Sequence, residues 1–190
     1  MVPTTPVGGQ GGPVDPALAF PGWTMGTDGT QARNVTGYNV LTLGSVAQIL
    51  IGPEFPNRIA PTALGGSYSA LLQFGPLPEA GIPALIQTGV IPADARSINF
   101  LAPAPRNDAR LTVDGTAIPL VAIGDRLAGD VSAFAGEEVE LTFSTNRYSG
   151  PWLYFDDVQF SSATIPEPSV ATLAAMSVLP FLRRARRCHQ

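Results

Sequence analysis

The sequence predicts an all-β fold, a jelly-roll-like β-sandwich followed by a single C-terminal apolar helix. Three observations predict it. Twenty glycines and nineteen prolines in 190 residues break helices and suit a body built of many turns. The apolar residues of the body fall in short runs separated by Gly, Pro and Asn, with no sustained helical period. The segment 163–190 then changes character, from an acidic body to an uncharged apolar run closed by arginines.

Three regions follow: a Pro/Gly-rich lead over 1–19, read as flexible, a β-sandwich domain over 20–162 and a tail over 163–190. The lead has neither a charged n-region nor an apolar h-region, so it does not read as a signal peptide. In the body, the runs at 48–51, 67–74, 84–91 and 96–102 are short and apolar-rich. The stretch 110–123 predicts a hairpin. Leu111 and Val113 alternate with polar residues, Asp114-Gly115 suits a tight primed turn, and Ile118 and Leu120 follow. Pro119 cannot donate to a ladder, which places the second strand at an edge or a bulge. Over 138–144, Val139, Leu141 and Phe143 point one way and Glu138, Glu140, Thr142 and Ser144 the other, a strand with one wet face. The last strand is predicted over 152–161.

Composition excludes several functions. Charged residues are only 14 % of the chain and hydrophobic ones 45 %, the reverse of a disordered chain. All eleven basic residues are Arg, and residues 1–162 hold seven of them against fourteen Asp and Glu. So acidic a body argues against nucleic acid, whose binding rests on neutralising phosphates. The only His and the only Cys are His189 and Cys188. The body therefore has no His base, no thiol nucleophile, no His or Cys metal site and no disulfide.

The tail has three parts in order. Pro166 and Pro168 flank Glu167 and favour an extended segment. Residues 169–182 carry no charge, and Ala, Leu, Val and Met lie around the whole circumference of the predicted helix. As a helix they span about 21 Å, short of the roughly 30 Å hydrocarbon core, and Pro180 interrupts the last turn. Arg183, Arg184, Arg186 and Arg187 follow; their long side chains can snorkel, and a run of Arg marks the cytoplasmic flank of a transmembrane helix. The rival reading of this run is a packed or amphipathic C-terminal helix.

Pro-Glu-Pro, an apolar segment and an Arg cluster in this order resemble the PEP-CTERM sorting signal of Gram-negative bacteria. The resemblance covers 166–187 and implies recognition of Pro166, Glu167 and Pro168 by an exosortase in the inner membrane. It further implies a cytoplasmic anchor at Arg183, Arg184, Arg186 and Arg187, and export through the inner membrane to the cell surface or an exopolysaccharide-bearing extracellular matrix. The stretches 20–24, 66–73, 88–102, 130–143 and 155–160 resemble, in their order, jelly-roll domains similar to carbohydrate-binding modules.

Three candidate sites follow. Adjacent carboxylates at Asp156 and Asp157 in an apolar strand must be paired, hydrated or bound to a cation. The jelly-roll resemblance implies a structural calcium held by Asp156 or Asp157 with Asp28 or nearby carbonyls; the rival is a solvated bulge with an Arg partner. Trp23, Tyr148, Trp152 and Tyr154 offer flat rings for a sugar, with Tyr148 and Trp152 presented by a Gly/Pro loop. Trp152 and Tyr154, however, share strand parity with Val158 and Phe160, which read as core unless a bulge intervenes. Glu137, Glu138, Glu140, Asp130 and Asp125 supply carboxylates for glycoside hydrolysis, but on one wet hairpin rather than across a cleft. The expected function is a non-catalytic exported surface or matrix protein. The alternative is a calcium-stabilised carbohydrate-binding module, and a glycoside hydrolase ranks behind both.

Overall fold

The computed structural model describes residues 12–27, 34–40, 46–52, 63–74, 81–103, 109–145 and 152–165. In chain order these form β1 (Gly12–Pro13), α1 (Pro16–Ala19), β2 (Thr24–Thr27), β3 (Asn34–Tyr38), β4 (Val46–Ile51), β5 (Ser69–Gln73), β6 (Pro83–Val90) and β7 (Ser97–Leu101). Then come β8 (Ala109–Val113), β9 (Thr116–Ile118), β10 (Leu120–Ile123), β11 (Arg126–Asp130), a 3-10 turn (Ser132–Phe134), β12 (Glu138–Thr145) and β13 (Trp152–Ser161).

The strands make two sheets, one ordered β1-β3-β4-β5-β13-β7-β11-β10 and the other β2-β6-β12-β8-β9. Among the described residues neither closes into a barrel. Among the described strands all neighbours run antiparallel except β3 and β4. The all-β, two-sheet prediction stands, and the last strand runs over the residues predicted for it. The predicted C-terminal helix, with its Pro-Glu-Pro and Arg signals, lies outside the described residues. Among those described, no helix is long and apolar enough to cross a membrane.

Turn chemistry fixes one corner. Val113 pairs with Thr116, leaving Asp114 and Gly115 as a two-residue loop. Both have positive φ, 47° and 74°, as a type I′ turn demands. Pro119 then separates β9 from β10, and each is the edge strand of a different sheet. Here the chain crosses from one layer to the other. The crossing needs a glycine beneath it: a Cβ on Gly129 of β11 would sit 2.6 Å from Cγ2 of Ile118.

Between the sheets the core is aromatic. Phe143 of β12 stacks on Phe155 of β13 at 5.1 Å and meets Phe100 of β7 edge-on at 5.2 Å. Leu50, Leu72 and Ile98 from one sheet face Leu85, Leu111 and Leu141 from the other. One polar side chain joins them. Gln48 of β4 is fully buried, and its Nε2 donates to the carbonyls of Gly26 and Ala84 in the facing sheet at 3.1 and 3.4 Å. A second apolar cluster lies on the other face of the longer sheet, where Ala47, Ile49, Ile51, Leu71 and Tyr154 pack with Trp152.

The folded body extends upstream of Phe20. Asp15 caps α1, accepting from the Ala17 amide at 2.9 Å, with Pro16 at the first turn. The turn buries Ala19 and Phe20 against the core, while β1 pairs with β3.

Candidate functional site

β13 is central in the longer sheet, and its pairing with β7 is interrupted between Asp156 and Gln159. Asp157 sits there with φ of 49°, a left-handed conformation in which Asp and Asn are the better tolerated non-glycine residues. The extra residue reverses the side-chain alternation. Before it, Leu153 and Phe155 belong to the main core and Trp152 and Tyr154 to the outer cluster; after it, Val158 and Phe160 pack on the main core. Two aromatic side chains and two core residues that shared a parity in the sequence thus lie on opposite faces.

The two carboxylates at the bulge have different partners. Asp156, half-buried, accepts from the Gly65 amide at 2.9 Å and the Ser69 hydroxyl at 2.8 Å through Oδ2, and from the Asp157 amide at 2.7 Å through Oδ1. Ser69 is itself buried. Its Oγ accepts from the Leu64 amide at 2.7 Å and hydrogen-bonds Tyr154. Burial pushes the Tyr154 phenol up. Asp157 faces solvent, forming an ion pair with Arg126 at 2.8 Å and accepting from Gln159 Nε2 at 2.7 Å. Arg126 also donates to the Asp157 carbonyl at 2.6 Å and, through Nε, to Asn99 Oδ1 at 2.6 Å. The Arg126 hydrogen bond, with help from Gln159, holds the Asp157 carboxyl below the usual carboxylate range.

A cavity of 350 Å³ opens beside the bulge, walled by Phe20, Trp23, Tyr68 and Phe155 and bounded by Asp156 and Asp157. Leu50 from one sheet and Leu85 from the other also line it, which places it between the layers. Trp23 is braced by Phe143, edge to face at 5.7 Å.

The sequence-predicted site residues separate on this geometry. Asp156 and Asp157 are adjacent and border the cavity, and the Arg-paired bulge weighed against calcium describes Asp157. Both carboxylates are engaged by hydrogen donors. Among the described residues no group of three acidic, His or Cys side chains is placed to hold a metal. Asp28 and Tyr148 lie outside the described residues. Trp152 is half-buried against the outer cluster, away from the cavity. Glu138 and Glu140 are on the wet face of β12, as their alternation predicts. Sequence reasoning missed Tyr68 and Ser69 as neighbours of Asp156. Ser69 is 87 residues from Asp156 along the chain, and no local pattern reports such a pairing.

No protein-family model matches the chain, and no curated protein matches it. Among solved structures the chain is similar to the enzymatically active domain of tailspike protein 4 of bacteriophage CBA120, with 16% identity and a TM-score of 0.44, over 74% of this chain and 19% of that one. The chain thus spans about a fifth of that structure's length. Likeness of that degree carries no argument about activity.

Proposed function

We propose that this is a non-catalytic, exported cell-surface or extracellular-matrix protein whose jelly-roll-like body is delivered by a C-terminal sorting tail. The observation that carries the reading is the order of the tail: Pro166-Glu167-Pro168, an uncharged run, then Arg183, Arg184, Arg186 and Arg187, beginning directly after the last strand. The join supports it. β13 ends at Ser161, and Ser97 Oγ ties the Ala163 carbonyl to β7 at 2.8 Å, so the sandwich is complete before the first proline of the tail. In this reading an exosortase grips the extended Pro-Glu-Pro segment at the inner membrane. The arginines stay cytoplasmic, because they are costly to carry through hydrocarbon. The matrix partner is an exopolysaccharide.

The test is to express the chain behind a working signal peptide in hosts with and without an exosortase, and to read the mature C-terminus by intact mass. Loss of the tail only in the exosortase host is expected, as is a soluble, folded protein on truncation after Ile165. A C-terminus at Gln190 in both hosts, with no membrane partitioning, defeats the reading. The cavity between the sheets favours a second reading, a carbohydrate-binding module. A structural calcium in that module would draw on Asp156 or Asp157 with Asp28, and a calcium-dependent rise in melting temperature is its signature.

A further inference from the structure

Among the described strands β10 ends the eight-stranded sheet, and its outer edge is unguarded. Soluble proteins blunt a free edge with charge, proline or a bulge, because it pairs with other strands that meet it. From Thr116 to Gly124 the chain carries no charge. Val121 and Ile123 are 41% and 43% exposed, two of the four large apolar side chains so exposed among the described residues. Turn geometry sets which backbone groups face outward. Ile123 pairs with Arg126 across Gly124-Asp125, a two-residue loop in which Gly124 has φ of 59°. The residues flanking such a turn bond each other, and hydrogen-bonded pairs then alternate along the ladder. Ile123 and Val121 therefore direct their backbone groups to β11, and Leu120 and Ala122 direct theirs outward. Pro119 has the parity of Val121, so its missing donor is not on the outward side and does not block the edge.

We propose that β10 pairs with β10 of a second copy, antiparallel about a two-fold axis at Val121, joining two eight-stranded sheets into one. In that register Leu120 of each copy faces Ala122 of the other, and the two pairs exchange backbone hydrogen bonds in both directions. Val121 faces its own counterpart in a non-hydrogen-bonded pair, where side chains come closest, and Ile123 faces Pro119. Val121 and Ile123 lie opposite Ala128 and Arg126 of β11, while Leu127 between those two points into the core. The apolar row therefore runs across the join on the face turned away from the other sheet. The strand is its own complement: no like charges meet, and it offers no charge by which a foreign strand would be selected. Such a pairing is isologous and closes at two copies. Four residues a side bury less than the roughly 1,000 Å² of a stable interface, so the association is weak and takes hold where copies are crowded. The inference goes beyond the delivery reading and stands on the body alone, so failure of either leaves the other untouched.

The experiment is disulfide trapping in the full chain carrying Cys188→Ser, which removes its only native thiol. Val121→Cys places two thiols opposite each other at the axis, within the Cα separation of about 4.4–6.8 Å that a disulfide needs. Val90→Cys, at an exposed position of the five-stranded sheet, reports random collision. Under mild oxidation Val121→Cys is expected to give covalent dimer about ten-fold faster than Val90→Cys, because pairing raises the effective thiol concentration. In the unsubstituted chain, amide exchange at Leu120 and Ala122 should slow as protein concentration rises, while Val121 and Ile123 stay protected throughout. Val121→Lys and Val121→Glu should each lose the association alone and regain it when mixed, since the register sets position 121 against itself. Equal trapping at the two cysteines, association that survives in Val121→Lys, or no recovery on mixing overturns the proposal. So does exchange at Leu120 and Ala122 that is independent of concentration up to about 500 µM, above the range expected even of a weak pair. The exchange measurement on the unsubstituted chain decides even if a variant fails to fold.

Discussion

β12 and β13 hold equivalent places, each central in its sheet, yet they are built on different rules. β12 alternates without a break: Val139, Leu141 and Phe143 go to the core and Glu138 and Glu140 to water. β13 starts with apolar residues on both faces, Leu153 and Phe155 inward and Trp152 and Tyr154 outward, and the extra residue at Asp157 turns Val158 and Phe160 to the core face. The difference teaches what a bulge adds to a central strand. A regular strand sends alternate residues to opposite faces along its whole length. The extra residue in β13 lets two carboxylates lie at the boundary between core and surface, where Ser69, Gly65 and Arg126 can reach them. In the five-stranded sheet the central strand only holds the layers together; in the eight-stranded sheet it also shapes the cavity.

The comparison can be broken most forcefully at Phe143. Its ring is fully buried and meets Trp23, Phe100 and Phe155. Phe143→Ala removes the ring on which both sheets converge and should cost about 3–5 kcal/mol, read from urea unfolding at unchanged m-value. A cost under about 1 kcal/mol would mean that β12 is not the strand that joins the layers. Ser69→Ala tests the bulge side with a smaller expected effect. It leaves the Leu64 amide and Tyr154 hydroxyl short of a partner and strips one donor from Asp156. Stranding buried polar groups costs about 1–3 kcal/mol. Unchanged stability would show that water replaces the hydroxyl and that the Asp156 carboxylate is not held from behind.

The same two strands mark how far the sequence could be read. β12 was legible residue by residue, because burial follows a period of two and Glu and Thr alternate with Val, Leu and Phe. The β8–β9 hairpin was equally plain, since Asp-Gly is the dipeptide that tolerates two positive φ values. The limits of β13 could be read from its apolar content, but not which way its rings face. That depends on one inserted residue; a bulge at the two Asp residues was one alternative the sequence offered, but nothing in it decided between the bulged and the regular strand. Gln48 was hidden differently: it lies inside an apolar run, and its role depends on the carbonyls of Gly26 and Ala84 meeting it from the other sheet. β1 and α1 escaped notice because a Pro/Gly-rich stretch reads as a lead. Tyr68 and Ser69 join the site through pairing of β5 with β13, which no local pattern encodes.

The smallest expected effect sharpens the comparison most, because it isolates charge from conformation. Asp157→Asn keeps a residue type that tolerates positive φ and changes only the charge facing Arg126. The Asp157 carboxyl lies below its ordinary value because Arg126 donates to it, with Gln159 second. A carboxyl whose folded pKa is depressed stabilises the fold above its unfolded pKa, near 3.9, and loses that contribution as pH falls through the folded value. Wild type should therefore melt above Asp157→Asn at pH 7. The gap should close as pH drops below the unfolded value, because both proteins then carry a neutral group at that position. Groups common to both proteins cancel to first order in the difference. Salt should narrow the gap as well, since the pair is open to solvent. A gap that persists unchanged at low pH and high salt would assign the role of Asp157 to backbone geometry alone, and the bulge would then need no ion pair to hold its shape.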